Sequence, residues 1–179
     1  MKQLDGTGMK RLHRSWRAVT GGRLALVLDG LGTPANVGAI IRTAAAYRID
    51  HLWLAGPTPS PEMAGVAKVA LGTERYVPWT PTPTAVAAVE AARGDGYLVV
   101  GVELADDAVP LHQLELAADV CLVVGHEDHG LGKATIAACD HVAYLPMLGK
   151  IGSLNVASAT AVAIYEVRRR AWTAPDSTA

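Results

Sequence analysis

The segment 145–159 carries the residue types best suited to chemistry. It combines a glycine-punctuated loop with Ser153 and Asn155 inside an otherwise apolar run. Burying an Asn amide without partners costs roughly 1–3 kcal/mol, so an Asn in such a run is expected to be buried and hydrogen-bonded to a specific group. Ser153 has two interpretations, because Ser is also a common N-cap residue of helices. The segment predicts a binding site at the start of the last helix.

A second group of candidate residues follows the first predicted strand. Gly38 and Arg42 lie one helical turn apart, and helical side chains lean toward the helix N-terminus. Arg42 is therefore expected to lie back over Gly38 and to approach the free N–H groups of the first turn, where Asn36 also lies. This arrangement favours a phosphate or ribose site. The alternative is a capped helix with an exposed Arg.

The loop 125–131 leaves another predicted strand, with Gly125 and Gly130 near its ends. Such loops let backbone groups approach a ligand closely. The spacing of His126, Glu127 and His129 matches no established metal pattern, and no further His or Cys ligand is evident. The loop therefore predicts a small-molecule contact and no metal.

The first predicted strand also leads into a GxGxxA pattern that begins at Gly30. A dinucleotide site of this type needs an acidic residue at the end of the second strand to hold a ribose. Here that strand ends at Ala55-Gly56, and Asp50 precedes it. A nucleotide-dependent oxidoreductase is therefore disfavoured.

The elements that must position these residues alternate between strands and helices. Continuous apolar runs predict strands at 24–28, 51–55, 97–102, 120–124 and 142–145, with a weaker candidate at 75–79. Apolar residues at helical spacing predict helices at 34–47, 62–71, 84–93, 133–139 and 153–170. This alternation predicts an α/β fold, a mostly parallel sheet with helices on both faces. Ligands of such sheets bind beyond the carboxyl ends of the strands, where the candidate loops lie.

The last helix has a composition that points beyond one chain. From Leu154 to Ile164 it is apolar on nearly every side, which predicts burial all round. A terminal helix of a small domain needs a second covering surface for that, and another copy related by a two-fold axis is the simplest supplier.

Length and composition favour one cytoplasmic domain. The 179 residues predict a single domain at 24–170, between a basic extension at 1–23 and a loose tail at 171–179. No apolar run is long enough to span a membrane, and no signal peptide is evident, so no membrane partner is expected. Cys121 and Cys139 lie far apart in apolar surroundings, which indicates free thiols and a reducing compartment.

The net charge of −1 hides a basic pattern at the two ends. Nine of the 16 Lys and Arg residues lie there: Lys2, Lys10, Arg11, Arg14, Arg17, Arg23, Arg168, Arg169 and Arg170. Two interpretations stay open. The ends are either merely solvated or fold onto one basic face that binds an RNA phosphate backbone.

Three segments, in order, resemble the three signatures of the SpoU-type 2′-O-ribose RNA methyltransferases of the SPOUT superfamily. Residues 36–44 are similar to the first signature, 122–131 to the second and 145–159 to the third. The resemblance covers residues 24 to 170, and the chain is most similar to the compact TrmH-like members that act on tRNA.

The resemblance implies a C-terminal trefoil knot, a homodimer and S-adenosylmethionine as cofactor, with each active site built from both subunits. The catalytic group that it implies is Asn36, Arg42, Glu127, Ser153 and Asn155. The cofactor residues that it implies are Val102, Glu103, Leu104, Gly125, His126, Gly130, Leu145, Met147, Ser153 and Leu154. Transfer RNA is the first substrate, and ribosomal RNA is second. A non-catalytic RNA-binding dimer is the alternative from another class.

The chain departs from the family pattern at two places in these loops. Asp128 replaces the Gly that usually follows the signature Glu, which bears on the backbone geometry of that loop. Gly152 stands before Ser153 where many members have a polar or acidic residue. Neither departure removes a side chain expected to do chemistry.

Overall fold

The computed structural model describes residues 3–173, and its centre is one seven-stranded sheet. The strands are β1 (Leu24–Asp29), β2 (His51–Ala55), β3 (Trp79–Thr82), β4 (Leu98–Val102), β5 (Val109–Pro110), β6 (Val120–Val124) and β7 (His141–Tyr144). They lie in the order β3-β2-β1-β6-β4-β7-β5, and every pairing is parallel. The predicted α/β class is confirmed. The trefoil knot stays a prediction from the resemblance.

Helices cover both faces of the sheet. They are α1 (Gly6–Val19), α2 (Pro34–Ala46), α3 (Ala64–Ala70), α4 (Ala85–Gly94), α5 (Lys133–Ala138) and α6 (Val156–Thr173). Side chains alternate across a strand, so β1 feeds two cores. Leu24, Leu26 and Leu28 join the core beneath α2, α3 and α6, while Ala25 and Val27 join the core beneath α4 and α5. Because both faces are buried, the strands are continuously apolar.

The structure corrects several predicted boundaries. Residues 73–76 form a 3₁₀ turn, so the weak strand candidate at 75–79 becomes β3 at Trp79–Thr82. The two-residue strand β5 is too short to show a pattern in sequence. Residues Gly6–Val19 of the basic extension form α1, whose N-terminus is capped by Asp5 through a 2.7 Å bond from the Gly8 N–H. The end of the predicted tail, residues 174–179, lies outside the described residues.

Helix α6 is not buried all round within one chain. Thr160, Ala163 and Ile164 are buried against the sheet, whereas Val162 and Tyr165 are 49% and 48% exposed. Burial all round is therefore not reached within one chain, and it stays a prediction that needs a second covering surface. An outward apolar surface remains on this helix.

Arg168 joins α6 to the edge of the sheet at which β1 and β2 begin. Its guanidinium is 5% exposed and donates hydrogen bonds to the carbonyls of Tyr47 (3.2 Å), Gly22 (3.1 Å) and Arg48 (2.7 Å). Two of these carbonyls belong to Tyr47 and Arg48, which directly follow the last residue of α2. Carbonyl groups at the C-terminal end of a helix have no hydrogen-bond partner within the helix. The Asp50 carboxylate lies 3.8 Å away. Arg168 is thus a structural residue rather than a free phosphate ligand.

The other two arginines of the C-terminal group are also engaged. Arg169 and Arg170 both donate to the carboxylate of Glu166, at 2.9 Å and 3.1 Å. Arg170 donates in addition to the carbonyls of Leu111 and Leu114. Arg168 and Arg170 are therefore packing residues and Arg169 forms an exposed ion pair, while a basic face that binds RNA stays a prediction.

No helix among residues 3–173 has both the length and the apolar character needed to cross a membrane.

We expect Arg168→Leu to lower the free energy of unfolding by about 1–3 kcal/mol, because it leaves backbone carbonyls without their donor. Arg169→Leu is the matched control, and we expect it to cost less than about 1 kcal/mol because its ion pair is solvent-exposed. Urea denaturation of both variants measures the difference. Equal losses in the two variants would contradict the structural role assigned to Arg168.

Candidate functional site

The candidate site is a cavity at the carboxyl ends of β4, β6 and β7. It has a volume of about 340 Å³. Every residue that the resemblance assigned to a cofactor lines it: Val102, Glu103, Leu104, Gly125, His126, Gly130, Leu145, Met147, Ser153 and Leu154. These residues come from three separate loops, so the parallel sheet is what brings them together. Their role in cofactor binding stays a prediction.

Two glycines allow the loop after β6 to fold tightly against this cavity. A Cβ on Gly125 would lie 2.3 Å from the carbonyl carbon of Gly130. Gly130 itself has a φ of +63°, and a Cβ there would lie 2.1 Å from the Glu103 carboxylate. That carboxylate accepts the Leu131 N–H at 2.7 Å and the Leu104 N–H at 3.0 Å. Glu103 therefore ties the end of β4 to this loop through its side chain, a role that the sequence did not reveal.

Three of the five predicted catalytic residues form one hydrogen-bonded chain. The side-chain amide of Asn36 donates to Glu127 at 2.8 Å, and its carbonyl oxygen accepts from the Asn155 amide at 3.0 Å. Each residue lies in a different signature segment. Asn36 is on the first turn of α2, Glu127 in the loop after β6, and Asn155 before α6. This chain of bonds fixes the three segments relative to one another.

The Glu127 carboxylate is the centre of this network. Besides the Asn36 amide, it accepts the backbone N–H groups of Gly32 at 3.0 Å and Thr33 at 3.1 Å. Burial favours the neutral acid, but the hydrogen bonds outweigh it and lower the pKa of Glu127 to about 2. Glu127 is therefore an anion at neutral pH, and its negative charge lies beside the N-terminus of α2, where the sequence favoured a phosphate.

The same observation bears on the GxGxxA pattern. In a dinucleotide site, the backbone N–H groups of such a loop would face the pyrophosphate. Here Gly32 and Thr33 give theirs to Glu127. The structure thus agrees with the sequence in disfavouring a dinucleotide site.

Asn155 caps α6 in place of Ser153. Its Oδ1 accepts the N–H groups of Ala157 at 3.0 Å and Ser158 at 3.3 Å, and the helix begins at Val156. The prediction of a helix that starts at Ser153 is therefore wrong. Asn155 is hydrogen-bonded as expected, but it is exposed rather than buried. Ser153 lines the cavity, and its hydroxyl makes no hydrogen bond to the described part of the chain.

Arg42 is not part of the hydrogen-bonded chain and does not line the cavity. It is exposed on α2 and makes no hydrogen bond or ion pair with residues 3–173. Gly38 does not clear a path for it, because α3 fills that space. A Cβ on Gly38 would lie 2.7 Å from the carbonyl oxygen of Val66 and 2.8 Å from Cβ of Val69. The predicted return of Arg42 over Gly38 is therefore wrong, and Gly38 serves the close packing of two helices.

The two departures from the family pattern fit the observed backbone without strain. Asp128 does not have a positive φ, and its N–H donates to Nδ1 of His126 at 3.0 Å. The His126 ring in turn stacks on His129, with centroids 4.9 Å apart. A Cβ on Gly152 would meet nothing within 4 Å, so no contact requires glycine there.

Sequence reasoning missed several residues at the cavity. Val124, Tyr144, Val156 and Ala159 also line it. The first two directly precede predicted residues at the ends of strands, so their position was the available signal. Within residues 3–173, no three His, Cys, Asp or Glu side chains are grouped so that they could hold a metal ion.

The fold and site define a class, an α/β protein with a ligand cavity at the carboxyl edge of a parallel sheet. Residues 23–165 match the model of the SpoU rRNA Methylase family. The chain therefore belongs to the SpoU methylase family.

Relatives and solved structures agree with this assignment. The 23S rRNA (guanosine-2′-O-)-methyltransferase RlmB of Pseudomonas aeruginosa is 35% identical over 147 residues, which cover 82% of this chain and 59% of RlmB. The AdoMet-bound rRNA methyltransferase of Sinorhizobium meliloti superimposes with a TM-score of 0.78 at 28% identity, over 84% of this chain and 57% of that one. A protein described for the 2-OH methylation of C/U34 on tRNA gives a TM-score of 0.75 at 28% identity, over 86% of this chain and 99% of its own.

The chain spans between 38% and 59% of the length of the curated relatives that it matches.

We expect the stabilisation that Glu127 provides to depend on pH in a defined direction. Its folded pKa of about 2 lies below the ordinary Glu value near 4.3. The stabilisation is therefore complete above about pH 5 and is lost as the pH falls toward 2. The difference in free energy of unfolding between the wild type and Glu127→Gln should shrink over that range. Urea titrations at several pH values measure it, with Glu90→Gln on the exposed face of α4 as a control that should follow the wild type throughout.

Proposed function

We propose that this protein is an S-adenosylmethionine-dependent RNA 2′-O-ribose methyltransferase that acts as a homodimer on tRNA in the cytoplasm. The observation that carries the proposal is the cavity of about 340 Å³, which opens beside the hydrogen-bonded chain of Asn36, Glu127 and Asn155. A binding cavity for the methyl donor and a polar group for the ribose are the two parts that such a reaction needs.

The residues of the cavity suit this cofactor. Apolar side chains of Val102, Leu145 and Leu154 form its walls, and Gly125 and Gly130 leave backbone accessible to a ligand. Ligand pockets in general combine apolar walls with a few placed polar groups, in volumes of roughly 300–1,000 Å³. When bound, S-adenosylmethionine supplies a methyl group on a positively charged sulfur. The AdoMet complex of the Sinorhizobium meliloti relative supports this choice.

The chemistry requires a ribose oxygen positioned in line with the methyl group. A ribose 2′-hydroxyl would accept that methyl group and would release its proton to a base. Correct orientation supplies several kcal/mol of such a barrier. Asn36 and Asn155 are the amide groups that would orient the ribose next to the cavity.

Glu127 is a positioning residue in this mechanism and not the proton acceptor. Its carboxylate already accepts three hydrogen bonds, and its pKa of about 2 makes it a weak base. Arg42 is not a base either, because a guanidinium stays protonated in proteins. Water or a nearby phosphate of the RNA therefore takes the proton, and Arg42 acts as a charge that stabilises the developing alkoxide or holds the adjacent phosphate.

A second subunit would account for two features of the single chain. Arg42 is exposed and does not line the cavity of its own chain, and the outward face of α6 exposes Val162 and Tyr165. The loop before α6 also exposes Leu148 and Ile151, at 103% and 68%. Apolar surface of this kind is typical of an interface. In a two-fold dimer each subunit can supply Arg42 to the site of its partner.

Transfer RNA is the preferred substrate class, and ribosomal RNA is the second candidate. The structure described for the 2-OH methylation of C/U34 on tRNA superimposes on this chain with a TM-score of 0.75, which supports tRNA. RlmB, at 35% identity, is the observation that keeps rRNA as a candidate. The intact hydrogen-bonded chain of Asn36, Glu127 and Asn155 argues against a non-catalytic RNA-binding dimer.

We expect Arg42→Ala to reduce methyl transfer by roughly a hundred- to a thousandfold, the typical effect of removing one charge-stabilising group. Binding of S-adenosylmethionine should stay near the wild-type value, because Arg42 does not line the cavity. Arg42→Lys should restore little, since a point charge does not reproduce the planar guanidinium. Single-turnover transfer to bulk tRNA, beside calorimetry of cofactor binding, measures both. Normal transfer in Arg42→Ala would remove this residue from the mechanism.

We expect two inactive variants to complement each other if the active site is shared. Arg42→Ala and Asn155→Ala are co-expressed with different affinity tags, and the mixed dimer is purified through both tags. In that dimer one site combines the intact Asn155 of one subunit with the intact Arg42 of the other, so methyl transfer should return at one of its two sites. Each homodimer purified in the same way is the control. A mixed dimer as inactive as its parents would contradict a shared site.

A further inference from the structure

A second, larger groove lies at the opposite edge of the sheet from the cofactor cavity. It has a volume of about 1110 Å³ and runs between α1 and the edge at which the strands begin. Its lining includes Gly22, Asp50 and Asp119, which lie one or two residues before β1, β2 and β6 begin. Strands of five or six residues separate this edge from the cavity by roughly 17–20 Å. We call this feature the strand-start groove.

The acidic side chains of the strand-start groove are already neutralised. Asp119 forms an ion pair with the Arg23 guanidinium at 2.9 Å and accepts the backbone N–H of Arg23 at 2.7 Å. Both contacts lower the pKa of Asp119. Asp50 accepts the Leu24 N–H at 2.8 Å and lies 3.8 Å from Arg168. Neither carboxylate therefore leaves the groove with a free negative charge.

Positive charge remains in the groove. Arg17 and Arg48 line it, both are exposed, and neither forms an ion pair with any residue from 3 to 173. Arg48 has a φ of +55°, and its carbonyl is held by Arg168, so its backbone is fixed while its side chain is open to solvent. The groove is thus a cationic surface.

Aromatic rings stand beside these charges. Trp16 of α1 packs on Trp172 of α6, with ring centroids 5.2 Å apart, and Trp172 is fixed by a 2.7 Å bond from its Nε1 to Oγ1 of Thr20. Trp16 is nevertheless 49% exposed, and Tyr76 on the far wall is 61% exposed. Tyr47 completes the lining aromatic residues.

We propose that the strand-start groove binds an unpaired segment of the RNA substrate at a distance from the methylated nucleotide. A cationic groove with exposed aromatic faces is the chemistry that recognises single-stranded nucleic acid, because the charges follow the phosphates and the rings stack on the bases. A paired helix would use the charges and leave the rings unused. The inference rests on the proposed RNA substrate and adds a second contact to it.

The floor of the groove favours RNA over a second copy of this chain. It is formed by the charged pairs of Arg23 with Asp119 and Arg168 with Asp50. A homodimer interface of this size would instead be expected to have an apolar centre.

The test compares two exposed arginines on different sides of α1. Arg17 lines the groove together with Trp16, whereas Arg11 lies on the opposite side of the helix from that lining and is exposed. The probe is fluorescein-labelled octauridylate, and its dissociation constant is measured with the full chain by anisotropy. We expect Arg17→Gln and Trp16→Leu each to weaken binding at least about fivefold, the lower range of the effect of losing one base-stacking group. Arg11→Gln should change it less than about twofold, because Arg11 lies on the far side of α1 from the groove and its exposed charge is screened by solvent and salt.

Several results would overturn the proposal. The groove is not a single-strand site if Arg11→Gln and Arg17→Gln weaken binding equally while Trp16→Leu has no effect. The same conclusion follows if a short paired RNA competes as well as unlabelled octauridylate. A change in sedimentation of Trp16→Leu from dimer to monomer would assign the groove to a second copy. Thermal unfolding and S-adenosylmethionine binding of each variant show that the fold is retained.

Failure of this inference is distinguishable from failure of the proposed function. Wild-type protein that transfers methyl groups to RNA, with groove variants that bind octauridylate normally, overturns the groove alone. Wild-type protein that transfers no methyl group to any RNA overturns the proposed function, while the octauridylate measurements still decide whether the groove binds single strands.

Discussion

The negative charge of Glu127 and the donors that satisfy it hold the candidate site together. The carboxylate bonds to the loop ahead of α2 through Gly32 and Thr33, and to Asn36 on that helix. Asn36 passes the connection on to Asn155, which is also the cap of α6. A partly buried carboxylate without such donors would be neutralised or expelled toward water. Loops that are distant in sequence therefore have to meet where this charge lies.

The parallel sheet gives that network its place. Because all seven strands run in the same direction, their carboxyl ends face one edge, and the loops that follow β4, β6 and β7 share a cavity there. The opposite edge gathers the segments that precede the strands, and Arg168 fastens α6 and the end of α2 to it. The common direction of the strands thus creates two different surfaces. One is suited to a small molecule, and the other is cationic and aromatic.

In a single chain, Arg42 makes no hydrogen bond with the other residues of the proposed active site. Arg42 extends from α2 into solvent, and Val162 and Tyr165 of α6 are only half covered. In the proposed dimer, the same association would cover apolar surface and supply a guanidinium to each site. Folding of the subunit and assembly of the active site would then be separate events, since the cavity and the Asn36–Glu127 bond are present in one chain.

The sequence by itself determined the α/β class and most of the strands, and the family resemblance picked out ten residues that line the cavity. Buried strands such as 120–124 are continuously apolar, and polar residues can follow such strands only where water or a ligand meets them. It did not determine how those residues are used. Glu103 proved to hold the neighbouring loop through its carboxylate, and Asn155 replaced Ser153 as the cap of α6. Both are side-chain choices between competing partners, which local pattern does not resolve.

The surroundings of the Arg42 side chain and the shape of the strand-start groove were decided only by the tertiary structure. Helical geometry alone leaves the space above Gly38 open to Arg42, but in the structure α3 packs against Gly38. Helix α3 is about 30 residues away along the chain, and nothing in the sequence around Gly38 indicates this contact. The groove depends likewise on Trp16 and Trp172 meeting from the two ends of the chain. Sequence patterns report which face of an element is apolar, whereas the partner of that face is fixed by packing among all elements together.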